Sequence, residues 1–436
     1  MKLLKRNELD KTLLSKGFLV SSVIIHILFI LSLFFGFLNP FFHDSTYCGG
    51  QGIDFFGFYQ AGYNVMIGLS PYEYISRFVV VPYFNKYRYL PFFAFTFGII
   101  LNLFPPRIAY WVWVFFILIL IWYACWITYR ICISLNKPKW VSYIAIGMWL
   151  CFSPIYVELY MGQATLFVAL LTFFSFYAES RKKEKEDIFL WTLGSLIKLM
   201  PYLLIPAILG TGRTRKVIYN ILLSILAIIA FGFIYFFYFL YFNLEATTFF
   251  FPTGGNFDLK NIIYVISKEI THSDKWFINY VDKNITYIFL VTFFGLSTLA
   301  TIYSKDYLVN LSLFACSYFL AFSGIWEHHF TFILPFLILL WIRDNNRKSW
   351  FLIFILLALP TPFYIFETLN LWDFPFYLLN RCTKNIPMMV LFILLMKKAY
   401  ENPRQETFKG SINDFFNSIY IGLKTPEMKK FPNVFT

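Results

Sequence analysis

The chain has 436 residues, of which 59% are hydrophobic, 23% aromatic and only 14% charged. This apolar content is far above that of soluble domains and the charge is well below it, so the composition excludes an ordinary soluble protein. The net charge is +13, but the basic residues lie in short clusters between apolar runs, which membrane topology requires and which does not indicate nucleic-acid binding. The composition predicts an all-α polytopic membrane protein surrounded by membrane lipids.

Apolar runs that could cross a bilayer follow one another along the chain, since a crossing takes ~20 residues. The basic leader MKLLKRNELDKTLLSKG precedes the first run without a small-residue cleavage site, so we expect an uncleaved first span. The predicted spans lie near 17–39, 107–130, 140–157, 163–179, 188–211, 215–242, 285–303, 307–324, 329–342, 349–366 and 386–398.

Two segments decide the topology. Residues 90–104 form a short apolar run bounded by prolines, and residues 188–211 carry Lys198 and Pro201 at their middle. If both cross once, the basic clusters at 137–139 and 181–187 face outside. If the first lies in the interface and the second is two half-helices meeting at Lys198, every basic cluster falls inside, as the positive-inside rule requires. We expect the second arrangement, with both termini cytoplasmic.

This topology predicts a single transmembrane domain, 1–400, and a cytoplasmic tail, 401–436, with the amphipathic stretch SINDFFNSIYIGLK. The first outer loop, 40–105, should hold two interfacial helices, over 54–69, where apolar residues recur at helical spacing, and over 90–104. A second outer loop covers 243–284. Nearly all polar residues that occur within or beside apolar runs lie on the predicted outer side of the membrane. Their common side indicates that they form one site.

Asp54 follows a glycine-rich run and begins a predicted helix, in the stretch GGQGIDFFGFY. An aspartate in that position commonly serves as an N-cap. A carboxylate beside a low-dielectric boundary is also poorly solvated and therefore a stronger base, so Asp54 is a candidate general base. The two interpretations are compatible, because a cap would also hold the carboxylate in place.

Four basic or titratable residues are candidates for binding an anion. Lys198 is ~10 residues from either flank of its apolar segment, so it either snorkels to the interface or marks a site that suits a phosphate. His328 and His329 separate two spans and are either structural or functional; adjacent helical histidines point ~100° apart, which disfavours a shared metal ion. Arg88 would meet a phosphate or lipid headgroups.

Two neutral amides, Gln163 and Asn256, lie at the outer ends of predicted spans. Considered alone, each would be interpreted as a cap or turn residue.

Several short motifs occur in a fixed order along the chain. The first outer loop holds an Asp with an aromatic residue four positions on, a Gly-x-x-Pro-Tyr turn and a Tyr-x-Pro. Later come a Gly-Gln pair, an Ile-Lys-x-x-Pro break, a loop Gly-Asn and a Trp-x-His-His stretch before a proline-containing run. The residues are Asp54, Phe58, Gly68, Pro71, Tyr72, Tyr89, Pro91, Gly162, Gln163, Ile197, Lys198, Pro201, Gly255, Asn256, Trp326, His328, His329 and Pro335.

In this order the motifs resemble polyprenyl-phosphate-sugar-dependent glycosyltransferases of the GT-C type, most closely glycosyltransferase family 87. The resemblance implies a GT-C fold with about 11 to 13 transmembrane helices. It also implies transfer of a hexose, first of all mannose, from polyprenyl phosphate to a glycolipid or glycan acceptor at the outer face of the plasma membrane. Ile325 and Asp258 stand where this family often has serine, which leaves the sugar and acceptor open.

The resemblance also implies roles for individual residues. Asp54 would deprotonate the acceptor hydroxyl, and polyprenyl phosphate would leave with inversion. Lys198, His328, His329 and Arg88 would hold the donor phosphate. No metal ion or other cofactor is expected. The substrate-positioning residues would be Gln163, Asn256, Tyr89 and Glu158.

Two other functions fit parts of the pattern. A flippase or transporter for a lipid-linked glycan would also need aromatic grooves, buried cations and a broken helix, but the chain has no repeat symmetry. A polysaccharide polymerase would also act on lipid-linked sugars at the outer face. A transferase would depend on Asp54 for turnover, whereas a transporter would form no covalent product.

Overall fold

The computed structural model describes residues 2–42, 50–248, 257–272, 282–345, 347–361, 365, 368–371 and 375–424. Helices account for nearly all the regular structure in these ranges, where no β-strand occurs and a single isolated bridge joins Ser304 to Pro403. A chain in a bilayer must satisfy its backbone polar groups internally, and helices do so within one segment. The predicted all-α class is confirmed.

The first half of the chain contains nine helices among its described residues. They are α1 (Lys2–Phe35), α2 (Ile53–Met66), α3 (Pro91–Leu101), α4 (Pro106–Ser134), α5 (Lys139–Cys151), α6 (Ser153–Met161), α7 (Thr165–Ser180), α8 (Glu184–Ile197) and α9 (Ile205–Gly210). A 3₁₀ turn, Met200–Leu204, leads into α9. Helices α2 and α3 cover most of 54–69 and 90–104, where helices were expected, and their position at the outer interface stays a prediction.

Nine further helices lie in the second half. They are α10 (Thr214–Ala230), α11 (Phe233–Thr248), α12 (Leu259–Thr271), α13 (Asp282–Tyr303), α14 (Tyr307–Ala321), α15 (Leu334–Arg343), α16 (Arg347–Ala358), α17 (Phe376–Glu401) and α18 (Phe408–Lys424). A 3₁₀ segment, Glu327–Ile333, precedes α15 and contains both histidines of interest.

Five stretches of the described chain are long and apolar enough to cross a membrane: Asp10–Phe35, Pro106–Ser134, Lys139–Met161, Asn284–Tyr303 and Leu378–Glu401. A sixth would be α10 with α11, and four shorter apolar helices accompany them. Large apolar side chains such as Trp122, Leu222 and Leu226 are exposed on these helices, as expected where lipid covers the protein. The polytopic class is confirmed, whereas the total of 11 to 13 spans stays a prediction.

Two of the expected spans are broken. The predicted break in 188–211 is confirmed, because α8 ends at Ile197 and Lys198 adopts an extended conformation, with φ −145° and ψ 134°. The span expected over 215–242 is not straight: α10 and α11 meet at an angle of 103°. Gly232, with φ +113°, lies at this bend and provides a backbone conformation that other residues rarely adopt.

The packed centre of the fold is built from α5, α6 and α7. Helix α1 lies along α5, α7 lies along α8, and α13, α14 and α17 pack together on the other side. Trp149 and Tyr156, on α5 and α6, are fully buried here. The α6–α7 turn, which carries Gln163, connects two helices of this buried centre.

The charged residues near the ends of α7, α8 and α10 are buried rather than exposed in loops. Arg213 lies 2.5 Å from Glu179, and Lys216 lies 2.8 Å from Asp187, all four with side chains at most 4% exposed. Buried charges are tolerated when they are paired, so these ion pairs join three helices. The positive charges of Arg213 and Lys216 therefore serve a structural contact.

The predicted amphipathic tail segment forms α18, which packs against α9, α10 and α13. Thr214 donates a hydrogen bond to the Ile419 carbonyl at 2.9 Å. A Cβ on Gly422 would lie 1.8 Å from the Gly212 carbonyl oxygen, so the two backbones are in direct contact. The described part of the tail is therefore attached to the membrane domain.

Candidate active site

A cavity of about 630 Å³ lies where the stretch 53–90 meets the centre of the fold. Its size is typical of a small-molecule site. Among the described residues, the polar part of its lining includes Asp54, Asn85, Lys86, Tyr87, Arg88, Tyr89, Gln163, Lys198, Tyr318, Trp326, His328 and His329. The apolar part includes Leu199, Met200, Leu203, Phe239 and Phe322. One cavity therefore joins a cationic, hydrogen-bonding region to an apolar wall.

Asp54 belongs to the first turn of α2 and is not its N-cap. The N-cap is Gly52, with φ 80°, and it makes no side-chain capping bond. The predicted capping role of Asp54 was therefore wrong, because the helix begins two residues earlier than a cap at Asp54 would require. The carboxylate makes no capping hydrogen bond to the start of α2 and lines the cavity instead.

Two side-chain amides hold the Asp54 carboxylate. Asn85 donates to Oδ1 at 2.5 Å and Gln163 donates from Nε2 to Oδ2 at 2.8 Å. The Tyr89 hydroxyl donates to Gln163 Oε1, which leaves the amide nitrogen of Gln163 directed at the carboxylate. Each carboxylate oxygen has two acceptor positions, so both retain one for a proton or a substrate hydroxyl.

Burial raises the pKa of Asp54 to about 6. The hydrogen bond from Gln163, the charges of Lys198 and Arg88 and the hydrogen bond from Asn85 act in the opposite direction and favour the ionised form. A carboxylate with a pKa close to the operating pH is well suited to accept a proton during catalysis. The environment of Asp54 is therefore that of a candidate general base.

Lys198 reaches the cavity from the break after α8. Its Nζ donates to the Thr165 hydroxyl at 2.8 Å and lies 5.9 Å from the centre of the Tyr89 ring. An ammonium group has three donors, so two remain for a ligand. Arg88 is exposed and lines the same cavity. The two cations lie near enough to Asp54 to affect its pKa.

The two histidines differ in what they contact. His329 Nδ1 accepts a hydrogen bond from the Trp326 backbone at 3.1 Å, so a neutral ring carries its proton on Nε2. His328 is 2% exposed, and within the described part of the chain neither of its ring nitrogens has a hydrogen-bond partner. Unpaired buried polar atoms are costly, and a ligand in the cavity would remove that cost.

A buried ion pair fixes the residue before His328. Glu327 lies 3.2 Å from Lys384 of α17 and accepts a hydrogen bond from Thr361 at 3.0 Å. Lys384 also donates to the Leu357 carbonyl at 2.7 Å. The backbone that carries the histidines is thereby tied to α16 and α17.

The remaining predicted residues have different positions. Tyr89 and Gln163 line the cavity, as described, whereas Glu158 is buried within α6 and does not line it. Glu158 accepts a hydrogen bond from the Leu166 backbone at 2.6 Å, at the start of α7. It supports the turn that carries Gln163. Asn256 lies outside the described residues. The substrate-positioning roles of all four stay predictions.

Asn85 and Tyr318 line the cavity but were not among the site residues predicted from the sequence. Asn85 lies in the stretch NKYRYLP, where the charges of Lys86 and Arg88 are more conspicuous, and only the fold brings it to Asp54. Tyr318 lies on the apolar helix α14 and lines the cavity near its C-terminal end. Neither residue has a local signal that separates it from ordinary loop or core positions.

No cluster of three or more His, Cys, Asp or Glu side chains that could hold a metal ion occurs among the described residues. The cavity contributes one carboxylate, two imidazoles and cationic groups to any ligand. The chemistry available from these residues is proton acceptance by Asp54 and binding of an anion by Lys198, Arg88 and a histidine.

The fold is that of a polytopic membrane protein, and its cavity combines one carboxylate with several basic groups. The sequence matches the family described as glycosyltransferase family 87 over residues 87–360. Because the match spans well over half of the chain, the protein belongs to glycosyltransferase family 87 and is a membrane glycosyltransferase. The matched region includes Gln163, Lys198, His328 and His329, and Asp54 precedes it. No individual curated protein matches the chain.

Proposed function

We propose that the protein transfers a hexose, with mannose as the first candidate, from polyprenyl phosphate to a glycolipid or lipid-linked glycan. The observation that carries this proposal is the cavity itself. Within the described part of the chain, it combines a carboxylate held by two amides, a lysine with spare donors and a histidine whose ring nitrogens have no partner. A lipid-linked sugar phosphate has matching parts: a hydroxyl-reactive carbon, an anion and an apolar chain.

Asp54 acts as the general base. It accepts the proton of an acceptor hydroxyl while the hydroxyl oxygen forms a bond to the anomeric carbon of the sugar. The bond from that carbon to the phosphate oxygen breaks, and polyprenyl phosphate leaves with the electron pair. Attack from the face opposite the leaving group inverts the anomeric configuration. The amides of Asn85 and Gln163 keep the carboxylate in one orientation for this step.

Lys198, His328 and Arg88 bind the phosphate. Their role is to stabilise the second negative charge that the phosphate gains as it leaves. His328 donates from a ring nitrogen that has no partner in the described chain. With the charge held in this way, the leaving group needs no separate acid, and these groups perform the step without a metal ion or cofactor.

The polyprenyl chain lies against the apolar wall formed by Leu199, Leu203, Phe239 and Phe322. We place the reaction at the outer face of the plasma membrane, with both termini cytoplasmic, because this orientation puts the basic loops inside. The sugar acceptor approaches Asp54 from the first outer loop. A growing polysaccharide would be an acceptor of the same chemical kind.

The test is sugar transfer by purified protein in lipid vesicles. Polyprenyl phosphate carrying labelled mannose is supplied with extracted membrane glycolipids, and nucleotide-linked mannose serves as the control donor. Label should reach a new glycolipid only from the polyprenyl donor, and the product should have inverted anomeric configuration. Transfer from the nucleotide donor alone, or movement of intact donor across the bilayer without a covalent product, would contradict the proposal.

A further inference from the structure

The start of α12 is joined to one wall of the cavity. The Phe257 backbone donates to the Ile325 carbonyl at 2.6 Å, and the Phe257 ring is fully buried with its centre 6.4 Å from that of Phe330. The second outer loop therefore contacts the chain just before the histidines. This contact lies outside the mechanism described above.

The carboxylate of Asp258, the next residue, accepts hydrogen bonds from two different segments of the chain. Oδ1 accepts from the Asn261 backbone at 2.6 Å and caps α12, and Oδ2 accepts from the Gly324 backbone at 2.7 Å. The side chain is 1% exposed. Hydrogen bonds from backbone N–H groups to a buried carboxylate are among the stronger ones in proteins.

The segment that Asp258 holds has no regular structure of its own. Residues 322–326 lie between the end of α14 and the 3₁₀ segment, and Gly324 has φ +75°. Gly324, Trp326, His328 and His329 all line the cavity. A shift of this irregular segment would move both histidines relative to Lys198 and Asp54.

We propose that Asp258 is a positioning residue, which sets the 324–329 wall of the cavity by joining it to the second outer loop. The inference rests on the proposed function for its effect on catalysis, and on the hydrogen bonds alone for the contact. Asp258 does not line the cavity itself and acts through its hydrogen bond to Gly324. A serine at this position would keep the helix cap, since serine is a good N-cap, but one hydroxyl cannot also reach Gly324.

The chain provides a matched control in Asp306. This residue also caps a helix with one oxygen, accepting from the Val309 backbone at 3.0 Å, and joins a distant segment with the other, at 2.6 Å from Arg343. It lies at the start of α14, whereas Tyr318 and Phe322 of the cavity lie at the opposite end. Asp258→Ser and Asp306→Ser therefore each remove the long-range contact of a helix-capping aspartate, near to the site in one case and far from it in the other.

The first readout is hydrogen exchange of the full-length protein in detergent, which is independent of activity. Backbone exchange over 322–326 should be about tenfold or more faster in Asp258→Ser than in wild type, because a lost hydrogen bond to a charged acceptor changes local opening by about that factor. Asp306→Ser should leave exchange there unchanged. Unchanged exchange over 322–326 in Asp258→Ser would overturn the proposed contact.

The second readout is steady-state sugar transfer from polyprenyl phosphate. Asp258→Ser should lower kcat/KM for the donor by about tenfold or more, and Asp306→Ser by less than about twofold, when both are assayed below their unfolding temperatures. Equal losses in the two variants would overturn the positioning role. A wild type without transfer activity would refute the proposed function instead, while the exchange comparison would still decide whether Asp258 holds this wall.

Discussion

The Asp54 carboxyl group holds its proton more strongly than an ordinary aspartate does, because it is desolvated where it lines the cavity. Burial raises its pKa to about 6 from a usual value near 4. As a general base it must be ionised, so the transfer rate should increase with pH through about 6 and level off near 7. The measurement is kcat/KM for the donor between pH 4.5 and 7.5, with binding of polyprenyl phosphate followed separately. A rate that falls over this range would contradict the assignment.

The amide of Asn85 should tune this base. Its hydrogen bond favours the ionised carboxylate, so Asn85→Ala should raise the pKa of Asp54 and move the acidic limb of the pH–rate profile upward by about one pH unit. Asn402→Ala serves as the control, because the Asn402 side chain donates to the Lys398 carbonyl at the end of α17 and does not line the cavity. An acidic limb that stays in place in Asn85→Ala would show that this contact does not set the pKa.

For single residues, the sequence predicted which charged and titratable side chains line the cavity better than it predicted which side chains contact them. Asp54, Lys198 and the histidines were recognisable because charged or titratable groups are rare in an apolar chain and need a reason. Asn85 was not recognisable, since a neutral amide in a polar loop has no local anomaly. The cap assignment for Asp54 failed because glycines before a helix allow several starting points, and Gly52 with φ 80° fixed the one observed.

The position of Asp54 depends on a direct crossing of α2 and α3. A Cβ on Gly62 would lie 2.3 Å from the Gly98 carbonyl carbon, so no side chain fits between the helices. Gly62→Ala should separate α2 from α3, displace Asp54 and lower both thermal stability and transfer activity. The control is Gly295→Ala on α13, where the added methyl group meets nothing within 4 Å. That variant should keep or slightly raise stability, by about 1 kcal/mol at most. Equal behaviour of the two variants would contradict a tight crossing.

Single elements were predictable where the chain carries a strong local signal. Proline and lysine within 188–211 correctly indicated the break at Lys198, and the spacing of apolar residues indicated α2 and α18. The 103° bend between α10 and α11 was missed, because a lone glycine in an apolar run gives little warning. The burial of Arg213 and Lys216 in ion pairs was also missed, since their partners come from other helices.

The orientation that we propose for the whole molecule rests on the positive-inside rule, and accessibility labelling tests it. Single cysteines placed after residues 137 and 185, in a variant without the native cysteines, should resist a membrane-impermeant thiol reagent in intact cells and react after permeabilisation. A cysteine at position 86, beside the cavity, should react in intact cells. The opposite labelling pattern would place the cavity on the cytoplasmic side and refute the outer-face proposal.

For the whole molecule, the fold class and the family were predictable from the sequence, but the way in which distant residues form the cavity was not. Composition alone indicated an all-α membrane protein, and the order of short motifs indicated glycosyltransferase family 87, to which the chain belongs. The cavity could not be derived in this way. Its walls come from positions as distant as Asp54, Lys198 and His329, and only the packing of α2, α7, α8 and α14 brings them together.

The central claim is that Asp54 is the base of a sugar transfer, and the comparison of wild type with Asp54→Asn tests it most directly. Transfer of labelled sugar from polyprenyl phosphate would be measured together with thermal stabilisation of each protein by polyprenyl phosphate. The account predicts that Asp54→Asn loses at least about a hundredfold in kcat, because the amide cannot accept the proton, while stabilisation by polyprenyl phosphate persists. Equal kcat values in the two proteins would contradict the account.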